Sequence, residues 1–108
     1  MRGFFLLILC LALAETVLAK GNAEKGKAKA AQVCAACHGA DGAKPVAPEN
    51  PILAGQYPDY LVKALSDYKS GKRANPIMKA FAGQLSKQDI EDLAAWFSSQ
   101  KSSLHFQR

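Results

Sequence analysis

The sequence predicts an all-α fold of about four helices joined by long irregular loops. Three observations predict it. Two segments, 58–70 and 86–99, repeat apolar residues along one helical face: Leu61, Ala64, Leu65 and Tyr68, then Ile90, Leu93, Ala94 and Phe97. Both open on residues suited to helix starts, Pro58 and Ser86, and the first closes on Gly71. No stretch shows the two-residue alternation of a half-buried strand.

The chain begins with a segment set apart from that fold. After Arg2, an unbroken apolar run extends from Phe4 to Ala14. It is too short to span a bilayer, which takes about 20 residues. It suits the apolar part of a secretory signal, and Val17-Leu18-Ala19 ends in the small residue that signal peptidase prefers. Cleavage after Ala19 is expected, making 1–19 a signal peptide and 20–108 a single domain with no membrane span. The competing reading is a retained N-terminal anchor, since the run has one basic residue before it. Cys10 does not make a lipoprotein site, because Leu9 stands where a small residue is needed.

From position 20 onward the chain has 13 Lys/Arg against 8 Asp/Glu. That balance favours acidic surfaces. Nucleic acid is not expected of an exported chain with no basic-aromatic reading motif.

Residues 22–33 predict the first helix, with Asn22 as N-cap, Glu24 at the positive end and alanine-rich composition. Gly26 is out of place there, since glycine inside a helix costs up to about 1 kcal/mol relative to alanine. Either it is tolerated or it admits a bulky side chain from another helix, for which Trp96 is the candidate.

Next comes Cys34-Ala35-Ala36-Cys37-His38, the signature of covalent haem attachment. On a helical turn, i, i+3 and i+4 share one face. Cys34 and Cys37 can then each form a thioether with a haem vinyl group while His38 offers a ring nitrogen to the iron. A disulfide between the two cysteines is the weaker reading, because it would close a tiny loop and constrain almost nothing. A zinc site would need Cys34, Cys37, His38 and His105, with adjacent residues strained onto one tetrahedral ion. A thioredoxin-like dithiol needs a βαβ setting that this helical chain lacks.

Residues 39–56 carry Pro45, Pro48 and Pro51 with Gly39, Gly42 and Gly55, and show no period. Patternless loops of this length are uncommon in compact domains and are usually functional or disordered; draped over a haem, this one would be functional. Residues 58–70 then form the most strongly marked helix, with Lys69 and Lys72 near its negative end. Residues 72–85 read as loop broken at Asn75-Pro76, with a short helical turn near 79–82. The last helix starts at Ser86, with Asp89 completing an approximate capping box, and carries Trp96 beside its stripe. It should fray after Ser99 into a loose tail, 101–108.

This inventory leaves a thin core. The 89 residues from position 20 hold 20 large apolar or aromatic side chains, and domains of this size are marginal. A covalently fixed haem would supply the missing apolar body. Its iron would need a sixth ligand. Met78, the one methionine after position 19, is the candidate, placed in a loop after Asn75-Pro76-Ile77. The alternatives are that Met78 is an ordinary core side chain, or that His105 in the tail serves instead.

Together these residues resemble the small class I c-type cytochromes of bacteria, in particular one half of the tandem dihaem periplasmic cytochromes and their single-haem relatives. The resemblance rests on Cys34 to Gly39, Pro51-Ile52-Leu53-Ala54-Gly55-Gln56, Tyr60-Leu61, Tyr68 to Arg73, Met78, and Leu85-Ser86 through Trp96-Phe97. It implies the class I cytochrome c fold wrapped around one haem c, with thioethers at Cys34 and Cys37 and axial ligands His38 and Met78. It also implies that the Pro51 carbonyl accepts a hydrogen bond from the proximal histidine, and that Gly26 meets Trp96 where first and last helices cross. With one attachment motif, this chain cannot be dihaem by itself.

The expected function is a soluble periplasmic electron carrier rather than an enzyme, its haem iron cycling between ferric and ferrous. The resemblance implies redox partners such as a quinol-oxidising cytochrome complex, a dehydrogenase or a terminal oxidase. Lys69, Lys72, Arg73 and Lys79 could form a docking face for acidic partners; the alternative is a solvated surface. Two other functions stay open: a dedicated cytochrome subunit of a periplasmic oxidoreductase, and a haem sensor or peroxidase with a vacant distal site.

Overall fold

The computed structural model describes Gly3 and residues 21–102. The expected signal segment, Gly3 apart, and the tail from 103 with His105 lie outside the described residues. Five helices follow one another: α1 (Ala23–Val33), α2 (Ala35–His38), α3 (Pro58–Ser70), α4 (Pro76–Ala82) and α5 (Lys87–Ser98). No strand occurs among the described residues.

The three long helices stand where their caps and stripes place them. Asn22 caps α1 through its side chain, which accepts from the Lys25 N–H. Pro58 sits in the first turn of α3, and Gly71 ends that helix at φ 84°, a left-handed conformation that glycine adopts without a Cβ penalty. Ser86 and Asp89 form a reciprocal capping box on α5: Ser86 Oγ accepts from the Asp89 N–H at 3.0 Å, and Asp89 Oδ2 accepts from the Ser86 N–H at 2.9 Å.

Helix α5 is the spine. It packs against α1 on one side and α3 on the other, and α4 packs on α3. The core gathers Ala30, Leu61, Leu85, Ile90, Leu93, Ala94 and Phe97. Leu93 is its largest wholly enclosed side chain.

The α1–α5 crossing is closer than the sequence suggested, and its cause differs. A Cβ on Gly26 would lie 1.9 Å from the Asp92 carbonyl oxygen and 2.9 Å from Trp96 Cβ. Gly26 therefore admits first the backbone of α5, and only then the base of Trp96. The indole itself is turned elsewhere. Its Nε1 donates to the Ala40 carbonyl at 3.0 Å, and the Lys27 ammonium sits 5.6 Å from its ring centroid. The same crossing buries the Asp92 carboxylate, which accepts from the Asn22 N–H at 2.7 Å and from Gln88 Nε2 at 2.8 Å.

Residues 39–56 form no helix or strand but are folded back and fastened. The Gly42 carbonyl accepts from the N–H groups of Leu53 and Ala54, and the Gly55 N–H donates to the Phe97 carbonyl at 2.9 Å. At Gly42, with φ 74°, a side chain would strike Phe97 and Leu53.

One element was placed wrongly by the sequence reading. Residues 76–82 form a full seven-residue helix, so Met78 lies on a helix and not in a loop. The physical signal was Asn75-Pro76. The Asn75 side chain accepts from the N–H groups of both Ile77 and Met78, while Pro76 takes the first helical position where its missing N–H costs nothing.

Three substitutions test these contacts. Alanine at position 26 gains helix propensity yet overpacks the crossing, so Gly26→Ala should lower the stability of the haem-loaded protein by about 1–3 kcal/mol in urea unfolding. Equal or greater stability would mean that the crossing is loose. For the α5 cap, Ser86→Ala should cost about 1 kcal/mol. The Ser86 backbone N–H, then its hydroxyl, Lys29 and Lys69, hold the Asp89 carboxyl below its usual range. The folded value being depressed, that contribution is complete above the ordinary carboxylate value and vanishes as pH falls through the folded one. Asp89→Asn should accordingly be less stable at neutral pH, with the gap to wild type closing below about pH 4.

Candidate haem-binding cleft

The attachment residues sit on a break between two helices. The Cys34 N–H still donates to the Ala30 carbonyl of α1, while the Cys34 carbonyl accepts from the N–H groups of Cys37 and His38. The turn so formed carries Cys34, Cys37 and His38 to the lining of one cleft of about 540 Å³. That volume falls within the range of cofactor sites, about 300–1,000 Å³. Leu53, Leu61, Leu65, Leu85, Leu93 and Phe97 contribute apolar walls, and Met78 lines the same cleft from α4.

His38 is buried at 7% exposure, and its Nδ1 lies 3.0 Å from the Pro51 carbonyl oxygen. A carbonyl can only accept, so this bond assigns the ring hydrogen to Nδ1 and leaves the Nε2 lone pair for a metal. The carbonyl is itself held in place. Asn50 Nδ2 and the Val46 N–H both donate to the Cys37 carbonyl, at 3.2 and 3.0 Å, stitching the Pro51 loop to the attachment turn. Asn50 had no periodic signal to reveal it, since it acts from an irregular loop. Both cysteines are free thiols. Burial pushes the Cys34 thiol up to about 11, so in the closed fold it stays S–H at neutral pH.

Met78 is half-buried, whereas its neighbour Ile77 and the residue one turn on, Phe81, are exposed at the rim. Two thiols, a lone pair on imidazole and a thioether around an apolar cleft are the donor set of a haem bound through both edges and iron. The residues present fit that group. Among the described residues no cluster of three or more His, Cys, Asp or Glu could hold a bare metal ion.

Two of the four cations expected to form a basic face have partners within the fold. The Lys69 ammonium donates to the Leu85 carbonyl. Arg73 lines the cleft, its guanidinium 4.8 Å from the Tyr68 ring centroid and its Nη1 donating to the Tyr60 hydroxyl at 3.3 Å. Lys72 and Lys79 complete the group, and all four cations are exposed.

An all-α unit with this cleft defines a c-type haem protein. Residues 23–101 match the family model described as Cytochrome c, and the chain belongs to the cytochrome c family, with covalently bound haem c as its cofactor. It is 51% identical over 98 residues to cytochrome c4 of Pseudomonas aeruginosa, covering 91% of this chain and 48% of that protein. A crystal structure of reduced recombinant cytochrome c4 from Pseudomonas stutzeri superposes with a TM-score of 0.70 at 46% identity, over 78% of this chain and 48% of that one. The chain thus spans about half the length of the cytochrome c4 relatives that it matches. Cytochrome c-554(548) of Halomonas halodenitrificans is 40% identical over 84 residues, 75% of this chain and 99% of the relative.

The apolar walls of the cleft are the same side chains that make up much of the core. Without haem they would line a wet cavity, and the thin core would lose its centre. The haem-free protein should therefore be largely unfolded. Far-ultraviolet circular dichroism checks this; native helix content with a cooperative melt in the apoprotein would refute it.

Proposed function

We propose that this domain is a periplasmic one-electron carrier in which Cys34 and Cys37 hold haem c through thioethers and His38 and Met78 ligate its iron. The observation that supports it most is the convergence of these four side chains on one apolar cleft. The signal-like composition of residues 1–19 supports export to the compartment where haem is attached.

Haem c supplies a single-electron couple between ferric and ferrous iron. The protein's own residues do the rest. Cys34 and Cys37 would hold the group through thioethers, each S–H adding across a vinyl group with sulfur to one carbon, hydrogen to the other and no net oxidation. The Pro51 carbonyl orients the His38 ring and makes it a better donor. Met78 would supply the second protein ligand to the iron, and a thioether paired with an imidazole raises the reduction potential. With His38 and Met78 both holding the iron, no site would be left for a substrate, which favours electron transfer over catalysis.

Exposed Ile77 and Phe81 border the cleft, with Arg73 and Lys79 nearby. This rim suits transient contact with redox proteins that carry acidic faces. Co-purification in a stable stoichiometric complex would instead identify a dedicated subunit of an oxidoreductase.

The reading has a direct spectroscopic test. Protein from the periplasm should give a pyridine haemochrome spectrum of covalent haem, one per chain. Met78→Ala should retain the haem, lose the weak sulfur-to-iron band of the ferric protein and gain carbon monoxide binding when reduced. Absence of covalent haem would overturn the reading as a whole; a band that survives in Met78→Ala would overturn the distal ligand alone.

A further inference from the structure

The attachment turn ends on a carbonyl that its own helix leaves over. Helix α2 stops at His38, so the Cys37 carbonyl has no partner further along the helix. The loop 39–56 satisfies it twice, through the Val46 N–H at 3.0 Å and the Asn50 side-chain amide at 3.2 Å. A carbonyl offers two lone pairs, and both are used here. Because a carbonyl can only accept, the contact also fixes which end of the Asn50 amide faces it, the nitrogen.

One residue further along each segment, the Pro51 carbonyl meets His38 Nδ1 at 3.0 Å. The dipeptide Asn50-Pro51 therefore grips the dipeptide Cys37-His38 at two adjacent points. The grip is stiff. Proline holds φ at about −65°, and the residue before a proline is confined to extended backbone. Few torsions remain between the Asn50 amide and the Pro51 carbonyl, so holding one end holds the other. The Asn50 N–H donates to the Ala47 carbonyl at 3.1 Å, which anchors the dipeptide from upstream. Asn50 is half-buried and lines the cleft, beside the buried His38.

Resting on the haem reading above, the inference concerns how strongly the His38 ring donates to the iron. We propose that Asn50 is a positioning residue for His38: by clamping Cys37 it sets the bond from Nδ1 to Pro51 and thereby holds the reduction potential down. A stronger bond at Nδ1 makes the imidazole more electron-rich and its Nε2 a better donor, which stabilises ferric iron over ferrous. Loss of the clamp lets the Pro51 carbonyl drift from the ring, and the potential rises. A purely structural role gives the opposite sign. A loosened loop admits water to the cleft, water favours the more highly charged iron, and the potential falls.

Equilibrium redox titration of the haem-loaded protein, with nuclear magnetic resonance of its ferrous form, tests this. Asn50→Leu nearly keeps the shape of the side chain and removes its donor. Its ferric-to-ferrous ratio at a fixed poise should fall about threefold, ~28 mV upward for a one-electron couple. The His38 Nδ1 proton should also move upfield and exchange faster with solvent, as a longer bond requires. Asn50→Gln, which restores the amide on a longer arm, should lie between wild type and Asn50→Leu in both readouts. The control is Asp41→Ala, since Asp41 braces the same loop elsewhere, its Oδ1 accepting from the Ala43 N–H at 2.9 Å. At high salt, which screens the lost charge, the control should shift the ratio by less than about 1.5-fold. If Asn50→Leu fails to retain haem, Asn50→Ser, a shorter donor, carries the test with a fall of about twofold. A lowered potential in these variants, an unchanged ratio, or a His38 Nδ1 proton that does not move overturns the inference. So does Asp41→Ala shifted as far as Asn50→Leu. Absence of covalent haem in wild type overturns the reading beneath it, which the haemochrome assay detects separately.

Discussion

A cleft of about 540 Å³ opens into the middle of a domain whose largest wholly enclosed side chain is a single leucine, Leu93. Small domains bury a limited share of their surface in any case, and here much of the potential core faces that cleft. Leu53, Leu61, Leu65, Leu85 and Phe97 each turn part of their surface toward it. The helices are consequently arranged less around one another than around a space for a flat apolar body. A covalent tether at Cys34 and Cys37 suits this constraint, because a group that also completes the core cannot be allowed to exchange freely.

Around that space the rigid part is the crossing of α1 and α5. Gly26 lets the two backbones approach until the Asp92 carbonyl occupies the place of a side chain. The buried Asp92 carboxylate then ties Asn22 at the start of α1 to Gln88 on α5. Because α2 leaves directly from the end of α1, this crossing fixes where the attachment turn begins. Leu93 and Phe97, from the other face of α5, line the cleft. One helix thus positions both the frame and the wall, and the α1 contact links the frame to the thiols.

Much of this was legible in the sequence for identifiable reasons. Caps and apolar stripes are local, so Asn22, Pro58, Gly71 and Ser86 marked their helices correctly. The attachment turn carried its own spacing. What escaped were effects that depend on partners distant in the chain or on two cues acting together. Asn75-Pro76 reads as a break when either residue is taken as a loop former; it is a helix start when the side-chain cap and the missing N–H are read jointly. Trp96 does meet Gly26 through its Cβ, but the Asp92 backbone lies closer still, and no residue type announces that contact. Arg73 is exposed like the other three cations of its group, but charge along a sequence does not say that it also borders the cleft. Its pose is set by Tyr60 and Tyr68, thirteen and five residues earlier.

The two sides of the proposed iron site are held unequally, and this bears on how such a site works. On the His38 side, the ring is buried and bonded to the Pro51 carbonyl, and the loop carrying that carbonyl is bonded to Cys37 by Asn50 and Val46. That loop is also tied to Phe97 of α5 through Gly55. Every one of these bonds closes back on the attachment turn or on α5. On the Met78 side, the thioether rides on seven residues of α4, started by the Asn75 side chain and packed chiefly on α3. A carrier that exchanges electrons without exchanging ligands needs both sides to hold still, because each change in bond length adds to the cost of transfer. The histidine side is fixed by the fold alone. On the proposed ligation, the methionine side would gain its remaining constraint from the bond to iron, which would tie α4 to the attachment turn across the cleft.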